Sequence, residues 1–210
     1  LVVVSKPYEK RAKDALGVSK KLLHHIPVGV NMDVVGYQDK AKASPKVRKT
    51  LIWLGRISPS KGPNLLPLIA RALPKYNIVV AGPLQDRDIG AALLHQCPDN
   101  VELCGEVAHE ALAQLLERGA YLLNTSPLES FGCAVGEGMA AGLMPLIYDW
   151  PDAAAIWPKK HIWRDIDELK KLLKQPLKSA EYRRYVTRRY KQSDCISAFS
   201  KVISSVARRK

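Results

Sequence analysis

From residue 50 to residue 148, short apolar runs alternate with amphipathic segments of helix length, and few folds accept that pattern. Each apolar run is too short to be a helix of its own. Near-continuous apolarity, rather than strict alternation, marks strands buried on both faces. Strands are expected at 51–54, 78–81, 101–103, 121–124 and 145–148, with helices at about 63–73, 86–95, 109–118 and 131–141. Pro67 falls inside the first of these helices, where a missing amide would kink it or move its start. Repeated βα units build a parallel sheet with helices on both faces, so the predicted fold class is α/β, a Rossmann-like doubly wound parallel sheet. Ligands of such sheets bind outside the carboxyl ends of the strands. The loops after Leu54, Ala81, Leu103 and Asn124 are therefore expected to build a site.

The flanks add less regular elements. Residues 1–50 hold an opening strand, a helix at 8–16, the turn Ile26-Pro27-Val28-Gly29-Val30-Asn31-Met32-Asp33, and a lysine-rich stretch at 40–49 that reads as an exposed loop. Beyond Trp157-Pro158 come a short segment near 161–163 and helices at 165–174 and 179–208, joined across Gln175-Pro176. Residues 1–210 read as one domain: the opening strand, helix and loop at 1–50, a βα core at 51–158, and C-terminal helices at 159–210. The chain starts without Met inside the apolar run Leu1-Val2-Val3-Val4, which suggests a piece of a longer protein.

No apolar run approaches the roughly 20 residues that cross a bilayer, and the N-terminus lacks the parts of a signal peptide. Cys97, Cys104, Cys133 and Cys195 form no CxxC pair, so the expectation is buried thiols in a reducing, cytoplasmic setting, with no metal site. The net charge of +13 invites a nucleic-acid reading, but it is unevenly spread. Residues 1–50 carry 11 Lys and Arg against 4 Asp and Glu, residues 51–158 carry 6 against 11, and residues 159–210 carry 16 against 5. The segment with the sharpest motifs is mildly acidic. A basic active groove is not implied.

Two motifs could carry chemistry. In Glu129-Ser130-Phe131-Gly132-Cys133-Ala134-Val135-Gly136-Glu137, two acids lie eight positions apart across a loop-to-helix junction. A helix starting near Phe131 would aim the amides of Gly132, Cys133 and Ala134 at the ligand edge, where they favour phosphate. Glu137, roughly 9 Å along that helix at about 1.5 Å per residue, would suit a pair of ribose hydroxyls. Glu129 could hold another sugar. The plainer alternative is that Glu129 caps the helix and Glu137 is solvated, although Met139-Ala140-Ala141-Gly142 leaves little free outer face. In the second motif, Gly55-Arg56-Ile57-Ser58-Pro59-Ser60-Lys61-Gly62, Arg56 and Lys61 could neutralise a diphosphate, or the loop could be solvated with Ser60 as a cap. It is no nucleotide triphosphatase loop: Lys61 lacks a preceding glycine, and Gly62 stands where Ser or Thr would bind magnesium. No GxGxxG fingerprint follows a strand, so a dinucleotide oxidoreductase has no phosphate loop to use.

In this order and context the motifs resemble the glycogen-synthase and sucrose-synthase-like group of retaining GT-B glycosyltransferases, similar to glycosyltransferase family 4. Ile26 to Asp33 resembles the family's IPNGVD segment, Gly55-Arg56 with Lys61-Gly62 its GR…KG loop, and Ala81-Gly82-Pro83 its AG.G turn. Val101-Glu102-Leu103-Cys104-Gly105-Glu106-Val107 resembles V.F.G.V, and the segment from Glu129 to Gly142 resembles E.FG…EAMA.G. Gly138 stands where the family has alanine, which reads as a loosened helix. The likeness covers about residues 1–150. Past Tyr148, Trp150-Pro151-Asp152-Ala153-Ala154 replaces the family's PE loop.

The resemblance implies the C-terminal, donor-binding half of a GT-B enzyme that transfers a hexose with retention, without an obligatory metal or cofactor, from a nucleotide-diphosphate sugar such as a UDP- or GDP-sugar. It places Arg56, Lys61 and Glu129 at the chemistry, the first two on the diphosphate and Glu129 on the transferred sugar. Glu137 falls on the ribose, the base near Cys104, Gly105, Glu106 and Val107, and amides of Phe131, Gly132 and Cys133 on sugar and phosphate. Gly29 and Gly82 belong to the matching turns of the donor site. An N-terminal GT-B domain would complete the cleft and read the acceptor. The basic helices at 179–208 would dock on that domain, or touch anionic membrane or nucleic acid peripherally. A basic nucleic-acid- or membrane-binding module with a degenerate sugar site is the competing expectation.

Overall fold

The computed structural model describes residues 1–208. The chain opens with β1 (Val2–Val3), α1 (Lys6–Leu16) and β2 (His24–His25), where β1 and β2 form a parallel pair of their own. α2 (Met32–Val35) leads to the repeating region: β3 (Thr50–Leu54), α3 (Leu66–Ala72), β4 (Asn77–Ala81), α4 (Arg87–Gln96), β5 (Val101–Gly105), α5 (Leu112–Glu117), β6 (Tyr121–Asn124), α6 (Cys133–Ala140) and β7 (Met144–Tyr148). It closes with α7 (Ala153–Ile156), β8 (Ile162–Trp163), α8 (Ile166–Leu173), α9 (Ser179–Arg189) and α10 (Gln192–Ala207). All five expected strands of the repeating region form. They join β8 in one parallel sheet of order β5-β4-β3-β6-β7-β8, the doubly wound Rossmann-like arrangement.

Every residue of β6, and all of β3 except Leu54, is buried, as apolar runs in a sheet covered on both faces must be. Helix starts follow local chemistry. The Asp86 carboxylate accepts the amides of Asp88 (3.1 Å) and Ile89 (3.0 Å) to start α4, and the Asp165 carboxylate accepts that of Glu168 at 2.8 Å to start α8. Pro67 sits in the first turn of α3, where its missing amide would have no helical acceptor in any case. The helix expected from residue 63 therefore opens as a 3₁₀ turn, Pro63–Leu65, and becomes α-helical at Leu66.

Three expectations change. The helix expected at 179–208 is two helices, because the Tyr190 carbonyl accepts the Val30 amide at 2.7 Å. Gly29 allows that junction: a Cβ there would lie 2.6 Å from the Gln192 Cα. The stretch at 40–49 is not simply an exposed loop. Lys40 is 1% exposed, and its ammonium donates to the Leu116 carbonyl (3.0 Å), the Glu117 carbonyl (3.4 Å) and Gln38 Oε1 (2.8 Å), closing the C-terminal end of α5. Burial brings its pKa down to about 8. Of the cysteines, Cys133 is exposed and the others are half-buried. Among the described residues no helix is long and apolar enough to cross a membrane.

Gly138 tightens the packing of α6 instead of loosening it. A Cβ there would lie 2.8 Å from the Cβ of Leu122, so glycine lets the helix close onto β6. The tightest approach at a glycine is Gly82, just past β4 and at φ 144°, whose Cβ would fall 1.9 Å from the Gly55 carbonyl oxygen. Gly105, at φ 72°, faces open space. Gly82→Ala is therefore expected to lose at least about 3 kcal/mol of stability, against about 1–2 kcal/mol for Gly105→Ala. Denaturant titration of both variants checks the contrast.

Candidate functional site

The sheet reverses its winding between β3 and β6, and the loops leaving these two strands meet at their carboxyl ends. A buried relay stitches them together. The Trp53 indole donates to Thr125 Oγ1 at 2.8 Å, and that hydroxyl donates to the Lys61 carbonyl at 2.8 Å. Gly62, at φ 62°, completes the fit, since a Cβ there would lie 2.2 Å from the Thr125 carbonyl oxygen. Across this seam the Lys61 ammonium reaches Glu129 Oε1 at 2.5 Å, with side chains 23% and 11% exposed. Ser126 Oγ donates to the same carboxylate oxygen at 2.8 Å. Charges this far from water require partners, and each supplies the other's.

Gly132, at φ 85°, turns the chain into α6, which starts at Cys133, two residues later than expected. The amides of Val135 and Gly136 already donate to the Gly132 carbonyl, at 3.0 and 3.4 Å. Those of Cys133 and Ala134 lack an acceptor within the helix and carry the positive end of its dipole. Phe131 is 1% exposed, packed 4.9 Å from Tyr190 and 5.1 Å from Trp157 between ring centroids, and its carbonyl accepts the Trp157 indole N–H at 2.7 Å. The aromatic cluster anchors the loop just before the helix starts.

Glu137 lies four residues after the helix start, about 6 Å along the axis rather than 9 Å. It is half-buried, and burial holds its carboxyl above the usual range while His109 pulls the other way. Cys133 reaches the surface, but the protein atoms crowding its sulfur desolvate it, and its thiol is raised first by that desolvation, then by Glu137 and Glu129, with Lys61 opposing. Lys61, Glu129 and Glu137 thus all lie within electrostatic reach of the residue that begins α6.

The remaining expected residues divide. Arg56 is exposed two residues past the end of β3, and Glu106 and Val107 follow β5. Gly105 ends β5, and its carbonyl accepts the Gly82 amide at 2.8 Å, so that amide is already used within the sheet. The Cys104 thiol turns to Glu102, donating at 3.2 Å, and lies beside Arg118. Gly29 packs under α10, and the structure does not bring it into the Lys61–Glu129 cluster. Sequence reasoning missed Trp53, Thr125, Ser126 and His109. The first two sit 72 positions apart, and only the β3–β6 neighbour relation, itself a topological inference, could have joined them.

Residues 36–192 match the family described as Glycosyl transferases group 1. The chain is 30% identical over 128 residues to GDP-mannose:cellobiosyl-diphosphopolyprenol alpha-mannosyltransferase of Xanthomonas oryzae pv. oryzae (strain PXO99A), covering 57% of this chain and 33% of that protein. It is 31% identical over 112 residues to the Phosphatidylinositol N-acetylglucosaminyltransferase gpi3 subunit of Schizosaccharomyces pombe, covering 50% and 24%. The chain therefore spans a third or less of the length of these curated relatives. Its fold matches sucrose-phosphate synthase from Thermosynechococcus elongatus with a TM-score of 0.84 at 17% identity, over 100% of this chain and 58% of that one. It also matches Anabaena HepE, solved in complex with UDP and glucose, with a TM-score of 0.80 at 17% identity, over 97% and 62%. These likenesses show the fold of GT-B glycosyltransferases.

Two substitutions probe the seam and the buried acid. Thr125→Val leaves the buried Trp53 N–H without an acceptor and is expected to cost about 1–3 kcal/mol in a denaturant titration. An acid with a raised native pKa binds its proton more tightly when folded, so its ionisation removes stability as pH climbs from the unfolded value of 4.5 through the native one. Glu137→Gln is accordingly expected to melt above wild type at pH 7, with the gain gone below the unfolded pKa. Melting curves across that range check the sign.

Proposed function

Because the chain belongs to the group 1 glycosyl transferases, we propose that it is the donor-binding half of a retaining GT-B glycosyltransferase, binding a nucleotide-diphosphate sugar at the carboxyl ends of β3 and β6. The single observation that carries this reading is the Lys61–Glu129 pair at the point where the sheet reverses. Around it gather the open amides of Cys133 and Ala134 and the half-buried Glu137. Cations, helix amides and a recessed carboxylate match the parts of such a donor: an anionic diphosphate and the hydroxyls of ribose and hexose.

On this reading Lys61 exchanges Glu129 for the diphosphate, and the exposed Arg56, just past β3, closes over it. The two cations and the helix N-terminus then stabilise charge as the nucleoside diphosphate departs. Glu129, released from Lys61, accepts hydroxyls of the transferred hexose. Glu137 accepts ribose hydroxyls, exchanging an unfavourable burial for hydrogen bonds that a sugar supplies. The base lies by Cys104, Gly105, Glu106 and Val107 at the end of β5. None of these steps calls on a metal or a cofactor. Similarity to an enzyme named for GDP-mannose supports a GDP-hexose, and likeness to a protein solved with UDP and glucose supports a UDP-hexose.

The acceptor is read by the part of a longer protein that faces this edge. α10 carries Ile196, Phe199, Ile203 and Val206 exposed at alternating spacings of three and four, one apolar stripe suited to docking against that part.

Calorimetry with UDP, GDP and their hexose conjugates tests the reading. Saturable binding of at least one is expected, and failure of all of them to bind the folded chain contradicts it. Lys61→Ala is expected to weaken the nucleoside diphosphate roughly ten- to hundredfold, the loss of one charge-assisted contact, while barely altering affinity for the nucleoside. Equal losses for both ligands would show that Lys61 does not meet phosphate.

A further inference from the structure

We propose a second anion site, outside the donor cluster, at the N-terminus of α1, built to hold a phosphate group. Its sources would be inorganic phosphate or a phosphomonoester. A cavity of about 210 Å³ lies there, walled by Ser5, Lys6, His25, Phe131, Arg189 and Tyr190 among others. Three of these residues are basic types and none of the lining residues is a carboxylate.

The polar groups at its wall are set for an acceptor. Ser5 takes the extended N-cap geometry, φ −149° and ψ 156°, but its hydroxyl makes no cap bond to the helix. The residue is 4% exposed, and Ser5 Oγ has no partner among the described residues. Buried hydroxyls are seldom left so. Pro7 occupies the first turn and has no amide to give, while the amides of Lys6 and Tyr8 have no acceptor within the helix. Tyr190 is not a donor here, because its hydroxyl already serves the Ile156 carbonyl at 2.9 Å. The Arg189 guanidinium lies over the Tyr185 ring at 4.6 Å and also meets the Tyr185 side chain as a hydrogen-bond partner, which leaves others of its five N–H groups for an anion. The acid of the first turn, Glu9, is held by Lys13 at 2.8 Å.

A rotatable hydroxyl, two helix amides and cations fit a tetrahedral oxyanion that accepts several bonds at once. The site uses neither Lys61 nor the amides of α6, so it stands apart from the donor reading. Phe131 joins the two places, with its ring on this cavity and its carbonyl fixed beside the start of α6.

The test follows backbone amide shifts while inorganic phosphate, and separately glycerol 3-phosphate, is titrated into the isotope-labelled chain. Saturable shifts centred on Lys6 and Tyr8 are expected with at least one probe; tighter binding of the ester identifies a phosphomonoester site, and preference for the ion a free-phosphate site. Ser5→Ala and Arg189→Ala are each expected to weaken binding about tenfold. Ser5→Ala, which removes only an unpartnered hydroxyl, should melt at or above the wild-type temperature without ligand. Lys61→Ala should leave the titration unchanged. Absence of saturable shifts at Lys6 and Tyr8 would overturn the proposal, as would their loss in Lys61→Ala, which would assign the binding to the donor cluster.

Discussion

The parallel pairing of β3 with β6 is the constraint on which the rest depends. The two strands are separated in the chain by two whole βα units, yet they lie side by side, with Leu51 opposite Tyr121 and Trp53 opposite Leu123. Strands entering this seam are buried on both faces, so their loops can emerge only at the sheet ends. At the carboxyl end, the seam brings a cation from one loop against a carboxylate from the other. With β4 and β5 on one side and β7 and β8 on the other, the strand order reverses at this seam, the point at which open α/β sheets bind their ligands.

At that seam, packing and electrostatics serve the same end. The Trp53–Thr125–Lys61 relay fixes backbone, and the Lys61–Glu129 pair fixes side chains. An ion pair shielded from water is stable only while both partners are present, yet its members can each be taken over by a ligand of matching charge. Glu137 differs, since its burial is opposed only by His109. A recessed acid of this kind lowers stability in the empty protein, as binding groups commonly do.

The sheet was legible because parallel strands buried on both faces announce themselves as apolar runs, and all five runs between residues 50 and 148 became strands. Arg56, Lys61, Glu129 and Glu137 were legible because their loops follow those strands. What escaped the sequence depended on distant partners. Lys40 looked like one more surface lysine until the end of α5 supplied its acceptors. The break between α9 and α10 has no glycine or proline to mark it, and comes from Val30 claiming the Tyr190 carbonyl. Gly138 looked like a weakness in a helix, whereas the side chain of Leu122 across the interface explains it.

A crystal structure of the chain with a bound nucleoside diphosphate tests the central claim most directly. The phosphates are expected within about 3 Å of the Lys61 ammonium and of the Cys133 or Ala134 amide, with the Lys61–Glu129 pair opened. A diphosphate bound elsewhere, or one bound while that pair stays closed and out of its reach, would contradict it.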